Sequence, residues 1–266
     1  LQVNSEWWQQ KDLPVDSIPL IHAKDQETAA YLFSSHRIEL LTLDPTESKL
    51  TNSAQTTEMA RSTSILQFIG FNTLSDVFSS AAARRAFSMG LQREMLTTAF
   101  LSGHAREAQF PISPCSSLYP EDLEQAYSYE TAVSALRGAG YGTGTPRELT
   151  LLVNSENSFR LASAEYIAES LSLLDWKITV KALPWEEYLL ALSLGEFDLY
   201  FGEVRLAADW DVTSLFGTGG SLNYGGYTKN YTIVKAGGTK VESEAKEVRK
   251  LGSIGAIVTE DKTAKV

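Results

Sequence analysis

Residues 149–201 read LTLLVNSENSFRLASAEYIAESLSLLDWKITVKALPWEEYLLALSLGEFDLYF, and this stretch decides the fold. It opens on a short apolar run over 149–153, the length and composition of a buried strand. Leu161, Ala164, Ile167, Ala168, Leu171 and Leu174 then recur at helical intervals and place one apolar face along a helix. Ile178, Val180 and Ala182 alternate as a strand does. Trp185, Tyr188, Leu189 and Leu192 return to the helical period, and Gly195 supplies the stop. The run 197–201 is a third strand. A βαβαβ order calls for parallel strands joined by crossover helices, hence an α/β domain with helices flanking a mostly parallel sheet. Ligands of such sheets sit beyond the carboxyl ends of the strands. Two loops qualify: 154–160 after the first strand and 202–211 after the third.

Upstream the pattern is mixed. The run 18–21 reads as a strand, Asp25 as the cap of a short helix over 28–33, and the alternation over 37–43 as a second strand that Asp44-Pro45 stops. Ile65 to Phe71 reads as a further buried strand. Ala83, Phe87, Leu91 and Met95 are spaced by four and predict one continuous helical face. A Pro-rich loop covers 110–120, and 129–137 is a short helix that runs into the glycines of 138–144. A phosphate-binding loop follows a strand and opens a helix. Here a helix precedes the glycines and a strand follows, so they read as a helix cap and turn. Downstream, 242–251 is a charged helix candidate, with 254–258 and 263–266 as a possible hairpin.

Composition bounds the function. A net charge of −10 with scattered Lys and Arg argues against nucleic acid, which needs clustered cations to displace counterions. No run reaches the roughly 18 apolar residues of a membrane helix. The first residues, LQVNSEWW, have neither a basic start nor an apolar core, so they do not read as a signal peptide, and the chain reads as a fragment or processed form. The lone Cys115 excludes an internal disulfide and multi-cysteine zinc sites. His22, His36 and His104 stand in no metal-ligand frame, and no G-x-S-x-G elbow is present. Composition and motifs therefore point to no enzyme, no metal and no cofactor.

Chemistry concentrates in FDLYFGEVRLAADWD, residues 197–211. Glu203, Arg205, Asp209, Trp210 and Asp211 fall just past the expected strand end. A fixed carboxylate beside an aromatic ring suits an ammonium group, through charge-assisted hydrogen bonds and cation–π contact. Arg205 either grips a ligand carboxylate or pairs with an acidic neighbour.

Several segments in register resemble one family, the extracytoplasmic solute-binding proteins of family 5 that serve ABC importers of oligopeptides, dipeptides and nickel complexes. They begin with Trp7-Trp8 and the DLPVDSI of 12–18. FIGFNT (68–73) precedes RRAFSMGLQRE (84–94), where Gly90 and Gln92 depart from the family's usual Ala and Asp. Gly103-His104-Ala105 and FPISP (110–114) come next, then LPWEEY (183–188), GEFDLY (195–200) and NYGGY (223–227). The resemblance covers about 1–228, leaves 229–266 as a tail without assignment, and implies a lobe of the type II periplasmic-binding-protein kind. It further implies an extracytoplasmic receptor that closes two lobes over a peptide and delivers it to ABC permease subunits, touching the membrane only through that permease or a lipoprotein anchor. The family's large first lobe has no counterpart ahead of Trp7. Asp209 is the position matching the family's contact to the peptide amine, with Asp211 as the alternative. Asn154 stands where dipeptide receptors place the Arg that holds the ligand carboxylate, and Arg160 is the available substitute. A nickel chelate or sugar ligand in the same family, or a soluble α/β hydrolase, are the other readings.

Overall fold

The structure is a computed structural model that describes residues 1–9, 14–46, 56–123, 127–142, 144–227, 232–234 and 240–242. The chain forms two compact units, Leu1–Ser53 and Ala54–Val266.

In the first unit one helix, α1 (Gln26–Ser34), starts where Asp25 accepts the backbone N–H of Thr28 at 2.7 Å, as its sequence predicts. Two expected strands are not there. Around Ile18 the chain makes a single bridge, Gln2 to Ser17, flanked by Ile18 N–H to the Leu1 carbonyl at 2.8 Å. Residues 37–43 join no ladder among the described residues. The N–H groups of Arg37 and Ile38 instead turn back to the Leu32 carbonyl. Alternation prepares a strand, but only a neighbouring backbone makes one.

The second unit holds the sheet. Its strands are β1 (Ile65–Phe71), β2 (Arg147–Asn154), β3 (Trp176–Leu183) and β4 (Leu199–Arg205), in the order β1-β4-β2-β3. β2 runs parallel to both neighbours, while β1 lies antiparallel to β4, from Ile65 opposite Arg205 to Phe71 opposite Leu199. The sheet is thus mixed and mostly parallel. Leu149, Leu151 and Val153 of β2 point into one apolar layer and Leu152 into the other. Burial on both faces explains why this strand is a continuous apolar run. β3 is the edge, and Lys177, Thr179 and Lys181 keep its outer side exposed and polar.

The first layer packs α2 (Ala81–Gly90), α4 (Tyr129–Gly138) and α5 (Ser158–Leu171) on the sheet. Its centre is aromatic: Phe78 stacks on Trp176 at 5.8 Å, and Phe87 meets Phe71 edge-on at 5.4 Å. Each such side chain contributes about 1.5–3 kcal/mol by leaving water. A 3-10 turn over Ser172–Leu174 extends α5 and buries Leu174. The second layer is smaller: α6 (Trp185–Leu194) buries Tyr188, Ala191 and Leu192 against Leu152, Phe197 and Tyr200.

Two helical expectations need correction. The face through Ala83, Phe87, Leu91 and Met95 is not one helix. α2 ends at Gly90, α3 (Arg93–Leu101) starts afresh, and Met95 is exposed. Leu91 is extended, and the Arg93 guanidinium donates to the Ser88 carbonyl at 3.0 Å, so a side chain covers the end of α2. The helix expected over 242–251 begins on Glu242, which lies in a strand: β5 (Thr232–Val234) pairs antiparallel with β6 (Lys240–Glu242). The rest of that segment and the hairpin over 254–266 lie outside the described residues. The glycine turn is as expected, with Gly140, Gly142 and Gly144 at positive φ after α4.

Candidate functional site

The carboxyl ends of the parallel strands gather two sets of groups. The first lies past β4. Sequence periodicity ends this strand at 201, but the ladder to β1 carries it to Arg205. Glu203 and Arg205 therefore belong to the strand, opposite Gln67 and Ile65, rather than to the loop that follows. The loop proper starts at Leu206, whose N–H donates to the Ser64 carbonyl at 2.9 Å. A turn closes with Trp210 N–H donating to the Ala207 carbonyl at 3.0 Å, and Trp210 adopts the left-handed region at φ 59°. That conformation is uncommon for a bulky side chain. Asp209 Oδ1 accepts the N–H of Asp211 at 3.2 Å. Asp211 Oδ1 in turn accepts from the hydroxyl and the backbone N–H of Thr213, at 2.5 and 2.8 Å. Those two bonds, the hydroxyl's first, hold the Asp211 carboxyl below the ordinary aspartate range. Asp209, Asp211 and Arg205 are exposed, and Trp210 is half-buried. The loop is thus a chain of Asx-type turns that presents Asp209 on a defined backbone.

The second set lies where α5 leaves β2. Asn154, the last residue of β2, is buried, and its Oδ1 accepts the N–H of Glu156 at 3.2 Å. Asn157 caps α5 by accepting the N–H of Arg160 at 2.9 Å. The cap fixes Arg160 in the first helical turn, where its guanidinium pairs with Glu203 and its Nε donates to Gln67 Oε1 at 3.2 Å. Gln67 Nε2 donates back to the same Glu203 carboxylate. Arg160 is thereby engaged inside the protein.

Beside this network a pocket of about 180 Å³ opens between α6, β4 and β1. Phe68, Tyr200, Tyr224, Trp185, Tyr188 and Leu189 form its apolar walls, with Arg160 and Glu203 also lining it. Tyr200 meets Phe68 and Tyr224 edge-on at 5.7 and 6.1 Å, and Trp185 stacks on Tyr188 at 5.8 Å. The Tyr188 hydroxyl donates to the Phe201 carbonyl at 2.7 Å, and burial pushes its ionisation well above the ordinary tyrosine range. Gly202 is required by close approach: a Cβ there would come within 2.6 Å of the Phe68 ring.

Of the residues singled out from sequence, the structure brings Arg160 and Glu203 together at this pocket. Asp209, Trp210, Asp211, Arg205 and Asn154 do not line it. Sequence reasoning missed Gln67 and Phe68, which reach the site only through the antiparallel pairing of β1 with β4. It read Trp185 and Tyr188 only as part of a helical period and of a family segment, not as site residues. A tryptophan directly after Pro184, where a helix starts, was the available signal, and in the structure it is 46% exposed.

A family model described as bacterial extracellular solute-binding proteins, family 5 middle, matches residues 1–225. Oligopeptide-binding protein AppA of Bacillus subtilis is 26% identical over 144 residues, covering 49% of this chain and 26% of AppA. Di/tripeptide-binding protein 3 of Pseudomonas aeruginosa is 24% identical over 208 residues, covering 75% of this chain and 38% of that protein. The chain thus spans between 26% and 38% of the length of these curated relatives. The structure of AppA from Bacillus subtilis in complex with a nonapeptide is similar at a TM-score of 0.55 and 22% identity, covering 75% of this chain and 42% of that one. NikA from Staphylococcus aureus in complex with Ni(L-His)2 gives the same TM-score at 15% identity, over 62% of this chain and 36% of that one. These structural likenesses establish the fold.

Proposed function

The chain belongs to the bacterial extracellular solute-binding proteins of family 5, and we propose that it supplies one wall of a receptor that captures peptides without chemically altering them. The observation that carries this reading is the strand-end loop. Asp209 is held on a fixed turn, exposed, beside Trp210, at the position where the family resemblance puts the contact to the peptide amine. A carboxylate so placed offers a charge-assisted acceptor to an ammonium group. Two of its sequence relatives are named for oligopeptides and for di- and tripeptides, which supports the same class of ligand.

In this reading the ligand lies between two lobes, of which this chain is mainly one, and closure of the lobes buries it. The receptor works outside the cytoplasm, tethered by a lipid anchor or free in the periplasm, and hands its peptide to the permease subunits of an ABC importer. Asp211 is engaged by both the hydroxyl and the N–H of Thr213, which favours Asp209 over Asp211 as the ammonium contact.

The test uses the complete receptor. Asp209→Ala is expected to weaken peptide binding about tenfold or more, the cost of stranding a buried ammonium. Thermal unfolding is expected to stay unchanged. Unchanged affinity by titration calorimetry removes Asp209 from the site. Mass spectrometry of ligand released from the purified receptor decides between a peptide and the other ligand classes, nickel chelate or sugar.

A further inference from the structure

We propose that the pocket between α6, β4 and β1 seats one uncharged apolar side chain of the bound peptide, aromatic or branched, and so sets which peptides this receptor prefers. The inference rests on the peptide reading above and adds a specificity to it.

Position comes first. Trp185 opens the helix that follows β3 and Arg160 stands in the first turn of the helix that follows β2, so both lie at the carboxyl edge of the parallel strands. This is the edge from which the loop bearing Asp209 also springs. A peptide whose amine is held at that loop starts from the same edge of the sheet as the pocket.

Chemistry decides what enters. The walls are rings and alkyl groups: Phe68, Tyr200, Tyr224, Trp185, Tyr188 and Leu189. The charged groups that line the pocket are already paired, and the Tyr188 hydroxyl is already bonded. Tyr188 donates to the Phe201 carbonyl, and Arg160 and Glu203 neutralise one another with Gln67 bridging them. A Lys or Glu side chain entering here loses its water and meets no free counter-charge, so it is excluded by desolvation. An apolar cavity of about 150 Å³ accommodates a benzene ring. This one, at about 180 Å³, is the size of one large apolar side chain rather than two. Trp185 stays 46% exposed, which leaves apolar surface at the mouth for an incoming group to cover. Gly202 maintains the space, because any side chain there would displace the Phe68 wall.

The test takes the complete receptor and pentapeptides of alanine that carry a single Phe, Leu, Lys or Glu at each position in turn. Affinities are measured by titration calorimetry. One position is expected at which Phe and Leu bind about tenfold or more tighter than Ala and Lys and Glu bind weaker. In Trp185→Ala, with folding verified by thermal unfolding, the advantage of Phe over Ala at that position should shrink to below about threefold. In Leu189→Lys the advantage should vanish for both Phe and Leu. Binding of these peptides without any such position overturns the inference and leaves the receptor reading intact. So does an apolar preference that survives both substitutions. Failure of every peptide to bind overturns the receptor reading and the inference with it.

Discussion

Arg160, in the first turn of α5, and Glu203, in β4, form an ion pair at the carboxyl edge of the sheet, and Gln67 on β1 bonds to both partners. The pair is unevenly buried: the Arg160 side chain is 13% exposed and that of Glu203 34%. Solvent screens the carboxylate more than the guanidinium. Arg160→Met is therefore expected to cost about 1–3 kcal/mol by urea unfolding, because Glu203 and Gln67 both lose a donor. Glu203→Gln is expected to cost less. A double-mutant cycle should return a coupling of at least about 0.5 kcal/mol. A coupling of zero would mean that the pair orders the pocket without stabilising the fold.

Asn72 is the second polar anchor. It is buried at the end of β1, donates from Nδ2 to the Phe197 carbonyl at 2.8 Å, and accepts the N–H of Leu74 at 3.0 Å. Asn72→Ala removes one bond from each of these backbone groups, and about 2–4 kcal/mol of stability should be lost. Chemical denaturation measures it. A loss under about 0.5 kcal/mol would show that water replaces the side chain at no cost.

Gly70 faces Tyr200 across the β1–β4 ladder, and a Cβ built on it overlaps the tyrosine ring. Gly70→Ala is expected to destabilise by about 1–3 kcal/mol, the usual cost of overpacking a fitted core. Paired with Tyr200→Leu, most of that loss should be relieved. If the double variant is no better than the sum of the singles, the clash is absorbed elsewhere.

Asp211 offers a titration readout. Bonds from Thr213 lower its folded-state pKa below 3.8, the ordinary value. A depressed carboxylate contributes stability that is present above the unfolded pKa and lost as pH falls through the folded one. The loop is thus expected to loosen only below about pH 4. Carboxyl NMR shifts should place the Asp211 midpoint below 3.8, and Thr213→Val should raise it. A midpoint indifferent to that substitution would contradict the assigned cause.

Much of the architecture was legible before folding. The period of 3.6 over 161–174 and the period of 2 over 178–182 became α5 and β3, and Asp25 capped α1 where its side chain predicts. Periodicity and caps are local properties, set by which side chains a helix or strand turns to one side. Element ends were less legible. β4 reaches Arg205 because β1 pairs with it that far, and the run 37–43 forms no strand because it finds no partner among the described residues.

By itself, then, the sequence determined the βαβαβ order and the parallel run of β2, β3 and β4, and from that order came the expectation of a ligand at the carboxyl edge. Handed crossovers leave few other arrangements. Tertiary structure alone decided what stands at that edge. Arg160 and Glu203 lie 43 residues apart, and Gln67 lies 136 residues from Glu203. No local pattern relates such distant side chains. The antiparallel docking of β1 onto β4 brings Gln67 and Phe68 to the pocket and sets Gln67 between Arg160 and Glu203, while Asp209 stays on the loop beyond, outside the pocket.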